Sequence, residues 1–214
     1  PILPLFDAAL FPKMVLPLVV MQGESIQLVD EAMAKDRQIG LVVSRKTTEE
    51  NATPQESLHT VGTSAVILKM AKTQDNRAQL LVQGISRFQI LDYVDGKPYL
   101  QARVEMIPEK EVDGTEIEAM MANIVRLFMR ITELTPGLPP EIGNMAKSIT
   151  EPGTLADMVV STINTTTEEK QKVLELFDVR ERLREVTRLI NHQLEIVELG
   201  NKIQSQVKGD IDKS

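Results

Sequence analysis

The sequence predicts an α+β chain: a small barrel-like β-rich lobe holding one helix, then an α-helical bundle lobe that ends in a long protruding helix. Three observations predict it. Short β-branched runs at regular spacing fill the first half, apolar residues switch to three-and-four spacing near Gly114, and the last helical pattern continues for about 30 residues. The corresponding boundaries are a β-rich lobe over residues 1–112, a helical lobe over 113–177 and a long helix over 178–214.

Residues 14–20 form an apolar run broken by Pro17, and residues 38–44 carry Ile39, Val42 and Val43. Residues 61–72, 78–83, 87–93 and 100–107 are further strand candidates. Gln74-Asp75-Asn76, Gly84 and Asp95-Gly96-Lys97-Pro98 are the turn signals between them. Strands this short and this evenly spaced suggest a closed or nearly closed barrel rather than a parallel sheet. Ser25 is placed to cap one interrupting helix, whose apolar positions are Ile26, Leu28, Val29, Ala32 and Met33. Residues 46–58 have almost no apolar content and read as a mobile surface loop.

In the second half, Ile117, Met120, Met121, Ile124, Leu127, Phe128 and Ile131 mark a helix that stops before Pro136-Gly137. A second is expected over 140–149, and a third from Thr154 as cap through Leu155, Met158, Val159 and Ile163. Thr167 opens a fourth, and Asp178 caps a fifth that runs to about Lys208, roughly 45 Å at 1.5 Å per residue. Its residues Val179, Leu183, Val186, Ile190, Leu194 and Val197 make one apolar seam, expected to pack through Leu127, Ile163 and Leu174. Ile196, Leu199 and Ile203 start another seam, with no partner in the chain, and are therefore the candidate assembly residues.

Composition narrows the function. There is no Cys among the 214 residues, which removes disulfides and thiolate chemistry, and His59 and His192 lie too far apart for a His-rich metal site. The net charge is −7, with 12 basic and 14 acidic residues up to position 112 and 12 and 17 after it, so neither half concentrates a basic face. Aromatics are 3% with no Trp, which leaves no stacking platform for single-stranded nucleic acid. No apolar stretch is long enough to span a membrane. A start at Pro1 without an initiator Met or basic leader reads as an excised piece of an intracellular protein.

No catalytic constellation emerges. Gly96-Lys97 is followed by Pro98 and has Leu91 where a phosphate loop needs its first Gly, so it reads as a hairpin turn. Ser64 follows Gly62-Thr63 but lacks the closing Gly of a nucleophile elbow. The carboxylate pairs Glu49-Glu50, Glu168-Glu169 and Glu109/Glu111 have no apolar frame to raise a pKa. Catalytic, cofactor and metal residues are accordingly expected to be none. Binding remains. Ten Met residues are above ordinary usage, and unbranched Met repacks against varied apolar ligands, although most of them suit a core made without Trp. The Pro-punctuated stretch Leu10-Phe11-Pro12-Lys13-Met14 is either core edging or part of an exposed groove. Leu10, Phe11, Met14 and Met21 are thus the candidate substrate contacts.

Several blocks carry a family resemblance. Pro4-Leu5-Phe6-Asp7, Leu10-Phe11-Pro12 and Met14-Val15-Leu16-Pro17-Leu18 resemble the start of the N-terminal domain of ATP-dependent Lon proteases. Ile39-Gly40-Leu41-Val42, Val61-Gly62-Thr63-Ser64-Ala65 and Leu81-Val82-Gln83-Gly84-Ile85-Ser86-Arg87-Phe88 resemble its later blocks. Leu155-Ala156-Asp157, Glu168-Glu169-Lys170-Gln171 and Phe177-Asp178-Val179-Arg180-Glu181-Arg182-Leu183 resemble its helical half. The resemblance implies a small, PUA-like β-barrel lobe plus a helical lobe with a long helix. It also implies a role in selecting unfolded, damaged or degron-bearing proteins and in assembling hexamers. The parent would carry an ATPase module using ATP and Mg, then a protease domain with a Ser–Lys dyad, in the bacterial cytoplasm. Where some relatives have a basic Gly-Arg-x-Lys-Ser element, this chain reads Met21-Gln22-Gly23-Glu24-Ser25, without either basic residue. Two other functions stay open at this point. One is a stand-alone Lon-domain adaptor. The other is RNA binding through the barrel lobe, which the acidic charge and scarce aromatics oppose.

Overall fold

A computed structural model describes residues 1–21, 23–45 and 53–213. They divide into two compact units, the first of residues 1–108 with 170–175, the second of 109–169 with 176–214.

The first unit is a six-stranded sheet with helix α1 (Glu24–Met33) and the short α2 (Pro54–Ser57). Its strands are β1 (Ile2–Leu5), β2 (Val15–Val20), β3 (Gln38–Val43), β4 (Val61–Lys72), β5 (Ala78–Val94) and β6 (Gln101–Ile107). The ladder runs β1-β3-β4-β5-β2, with β6 also on β5. β1 lies parallel to β3 and every other pairing is antiparallel. This is an open sheet, so the expectation of barrel closure is corrected, although Ile2 N donates to Leu100 O at 2.8 Å just before β6. Gly84 is not a turn. β5 passes through it as one long strand whose first part pairs with β2 and whose second part pairs with β6.

Two apolar clusters fill this unit. Leu28, Val29 and Ala32 of α1 pack with Leu41, Ile67, Leu80 and Val82, while Ile2, Val42, Leu58, Phe88 and Ile90 form the second. The N-cap of α1 is Gly23, with φ 105°, rather than Ser25, and it offers no side-chain cap. β1 has no signal in the sequence because it is four residues long and contains Pro4, which an edge strand tolerates. The loop expected over 46–58 contains α2 at its end, and residues 46–52, with Glu49 and Glu50, lie outside the described residues.

The second unit holds α3 (Thr115–Leu134), α4 (Pro140–Ser148), α5 (Pro152–Thr162), the start of α6 (Thr167–Leu174) and α7 (Val179–Asp212). Ile117, Ile124, Leu127, Phe128 and Ile131 form the buried stripe of α3. α5 begins at Pro152 after Glu151, two residues ahead of the expected Thr154 cap, and Thr154 Oγ1 donates instead to Glu151 Oε2 at 2.9 Å. Asp178 caps α7 as expected, accepting from Glu181 N at 3.0 Å. α7 continues through Gly200 to Asp212, 34 residues in all.

Arg182, on the inner face of α7, is buried in the second unit with Asp157. Its Nε donates to Leu176 O at 2.9 Å, and its guanidinium bonds Glu109 and stands 3.8 Å from Asp157 Oδ2. A buried guanidinium is tolerated there because carboxylates and a carbonyl surround it.

Candidate polypeptide-binding groove

Three residue types in the first unit build one anchoring arrangement around Phe11. Gly84 lets the chain pass closely, since a Cβ there would lie 2.3 Å from Phe11 O. Gly62 does the same for Leu41, whose carbonyl would be 2.4 Å from an added Cβ. Beside Gly62, Thr63 Oγ1 donates to Leu10 O at 2.7 Å inside the core. Arg87 is buried, with its guanidinium carbon 6.0 Å from the Phe11 ring centroid and its Nε donating to Leu174 O at 2.9 Å. These bonds seat Leu10 and Phe11 and aim the following strand along the sheet.

That strand is β2, and it is a sheet edge, bonded among the described strands to β5 alone. Strand geometry sends alternate side chains to opposite faces. Leu16, Leu18 and Val20 turn toward the core, while Val15, Pro17 and Val19 turn out. Pro17 has no N–H to give a ladder, which suits an edge and keeps it from pairing freely with another sheet. Next to it, the register shift between Ile67 and Lys69 in β4 pushes Leu68 outward.

The result is a groove of about 900 Å³ bounded by β2, the end of α1, and the facing halves of β4 and β5. Val19, Leu68, Leu18, Met33 and Met70 supply its apolar walls. Among the described residues, Arg37 and Lys69 are the charged ones in its lining. Arg37 has φ 62°, yet its backbone is held at both ends: its N donates to Ala32 O and its O accepts from Ile67 N, each at 2.9 Å. An open, mostly apolar trough with flexible Met side chains suits an extended segment of varied sequence better than one rigid small molecule.

The structure separates the four expected contact residues. Leu10 and Phe11 are core residues, Phe11 with no exposed surface, so the expectation that they meet a substrate is corrected. Met14 is half-buried against the same core. Met21 is exposed just past β2. The residues that actually open onto the groove, Val19, Leu68 and Arg37 among them, had no mark in the sequence. The alternation of residues 15–20 was the one available signal, and Pro17 obscured it. Ile196, Leu199 and Ile203 are all exposed on α7, continued by Val207 and Ile211. Elsewhere in the second unit, a cleft of about 430 Å³ between α3 and α7 is lined largely by charged residues, Arg130 and Glu198 pairing across it at 3.7 Å.

The described residues contain no group of His, Cys, Asp or Glu arranged to hold a metal ion. No described helix is long and apolar enough to cross a membrane. His59 is half-buried with Nδ1 3.7 Å from Glu175 Oε1, and His192 is exposed on α7.

Residues 1–192 match the model of the ATP-dependent protease La (LON) substrate-binding domain. The chain belongs to this family. Over 217 residues it is 54% identical to a Lon protease of Syntrophus aciditrophicus (strain SB), covering all of this chain and 28% of that protein. A Lon protease of Desulfosudis oleivorans is 46% identical over 213 residues, again across the whole chain and 26% of its own length. The chain thus spans about a quarter of these curated relatives. Among solved structures, the N-terminal domain of the Mycobacterium avium complex Lon protease superposes with a TM-score of 0.71 at 26% identity, covering 89% of this chain and 97% of that one. A Lon N-terminal domain protein of Xanthomonas campestris shares the fold at a TM-score of 0.60 and 14% identity, over 87% and 95% of the two chains. Of the blocks that carry the resemblance, Thr63, Gly84 and Arg87 seat Leu10 and Phe11, while Gly62 makes room for Leu41.

Proposed function

We propose that this Lon-type domain is a non-catalytic receptor that holds apolar segments of unfolded, damaged or degron-bearing proteins for a parent ATP-dependent serine protease of the bacterial cytoplasm. The observation that carries the reading is the open apolar groove along β2, within a domain of the substrate-binding family. Folded proteins keep such segments inside, and an exposed trough of Val, Leu and Met recognises them by burial rather than by sequence. One groove holds a segment weakly. In the parent, assembly into hexamers would raise the effective affinity by presenting several grooves at once, with the exposed face of α7 contributing to assembly. ATP, Mg and the Ser–Lys dyad would act in parts of the parent beyond these residues.

The test is an NMR titration of this chain with one protein in its folded and its permanently unfolded form. Shifts at Val19, Leu68 and Met70 are expected from the unfolded form alone. Val19→Asp should abolish them while leaving the melting temperature in place. Equal perturbation by both forms would remove the reading. The same preparation should hydrolyse neither ATP nor peptides.

A further inference from the structure

The groove's charges are as specific a feature as its apolar walls. Every charged residue among its described lining is a cation, Arg37 or Lys69, in a chain whose net charge is −7. Four other cations of the first unit are paired: Lys72 with Asp30 at 3.0 Å, Arg77 with Asp75 at 3.1 Å, Lys97 with Glu31 at 3.6 Å and Arg103 with Asp92 at 2.9 Å. Arg37 and Lys69 have no carboxylate partner among the described residues. Arg37 also occupies a left-handed backbone conformation that arginine rarely adopts, fixed from both sides by bonds to Ala32 and Ile67.

Resting on the reading of the groove as a polypeptide site, we infer that it selects extended apolar segments carrying an acidic side chain, and disfavours those carrying a basic one. The apolar side chains of such a segment lie against Val19, Leu68 and Met33, and its Asp or Glu meets the two unpaired cations at the rim. Exposed charges contribute modestly because water and salt screen them, so the selection is a bias laid over apolar burial. Like-charge contact with a basic segment opposes binding by the same mechanism.

Three terminally blocked apolar peptides, identical except for a central Glu, Gln or Lys, separate the possibilities by fluorescence anisotropy with the 214-residue chain. At low salt the Glu peptide is expected to bind about three- to tenfold more tightly than the Lys peptide, with Gln between them. The spread should collapse at high salt and in the Arg37→Asn/Lys69→Gln variant, where Asn tolerates the left-handed backbone. Equal binding of all three at low salt, or a spread unchanged in the variant, overturns the charge selection while leaving the apolar groove standing. If no peptide binds, the groove reading itself fails. A change in the variant's own sedimentation would mean that a second copy of this chain fills the groove, which also overturns the inference.

Discussion

Phe11 and Val19 are apolar residues eight positions apart, each close to a proline, and only one of them is inside. Phe11 has no exposed surface, whereas Val19 is 59% exposed. The difference lies in backbone contacts. The chain at Phe11 is drawn in by Gly84 and Thr63 and covered by Arg87, while Val19 falls on the outward-turned side of the alternation in β2. The two parts of α7 repeat the contrast. Leu183 is fully buried and Ile203 is 52% exposed on the same continuous helix. Apolar character alone therefore does not sort these residues. What sorts them is whether another element reaches the same face.

The sharpest way to break this comparison is at its buried members. Phe11→Ala should cost about 3–5 kcal/mol by removing a packed ring and the seat of Arg87, read from denaturant melts. Arg182→Ala should cost a similar amount, about 3–5 kcal/mol, because it leaves Asp157 buried beside a lost guanidinium. Leu183→Ala should cost about 2–5 kcal/mol. Ile203→Glu should stay within about 0.5 kcal/mol in the same melt, yet weaken self-association in sedimentation or hexamer assembly of a full-length Lon. If Ile203→Glu proves as costly to folding as Leu183→Ala, the end of α7 is internal and the contrast fails.

A smaller effect probes a residue that is apolar in body and polar at its tip. Tyr99 is buried beside the first core cluster and its Oη donates to Glu31 Oε2. That hydrogen bond first, then burial, raises the phenol to about 12. The same bond holds the Glu31 carboxyl below its ordinary range. The stabilisation from Tyr99 is thus complete below its ordinary pKa of about 10 and is lost as pH climbs toward 12. On the acid side, the contribution of Glu31 is present above its ordinary pKa of about 4.3 and is lost as pH falls through its lowered value. An ultraviolet phenolate titration should show a step near 12 that disappears in Tyr99→Phe. A step at the ordinary value that is lost in Tyr99→Phe would show that the bond to Glu31 does not form.

Local pattern determined much of this protein before any tertiary contact was known. Three-and-four spacing located α3 and α7, Asp178 capped α7 where the sequence placed it, and β4 occupies residues 61–72 as read. These features rest on periodicities within one segment, which a sequence displays directly. β1, the passage of β5 through Gly84 and the fate of Leu10 and Phe11 depend on partners far away in the chain. Gly84 reads locally as a break, but its missing side chain serves Phe11, more than seventy positions earlier. The groove was decided the same way. Val19, Leu68, Met33 and Arg37 come from four separate elements or turns, and only the sheet register and the β4 irregularity bring them to one surface. An apolar residue becomes core or binding surface according to what covers it, and covering is a property of the folded chain.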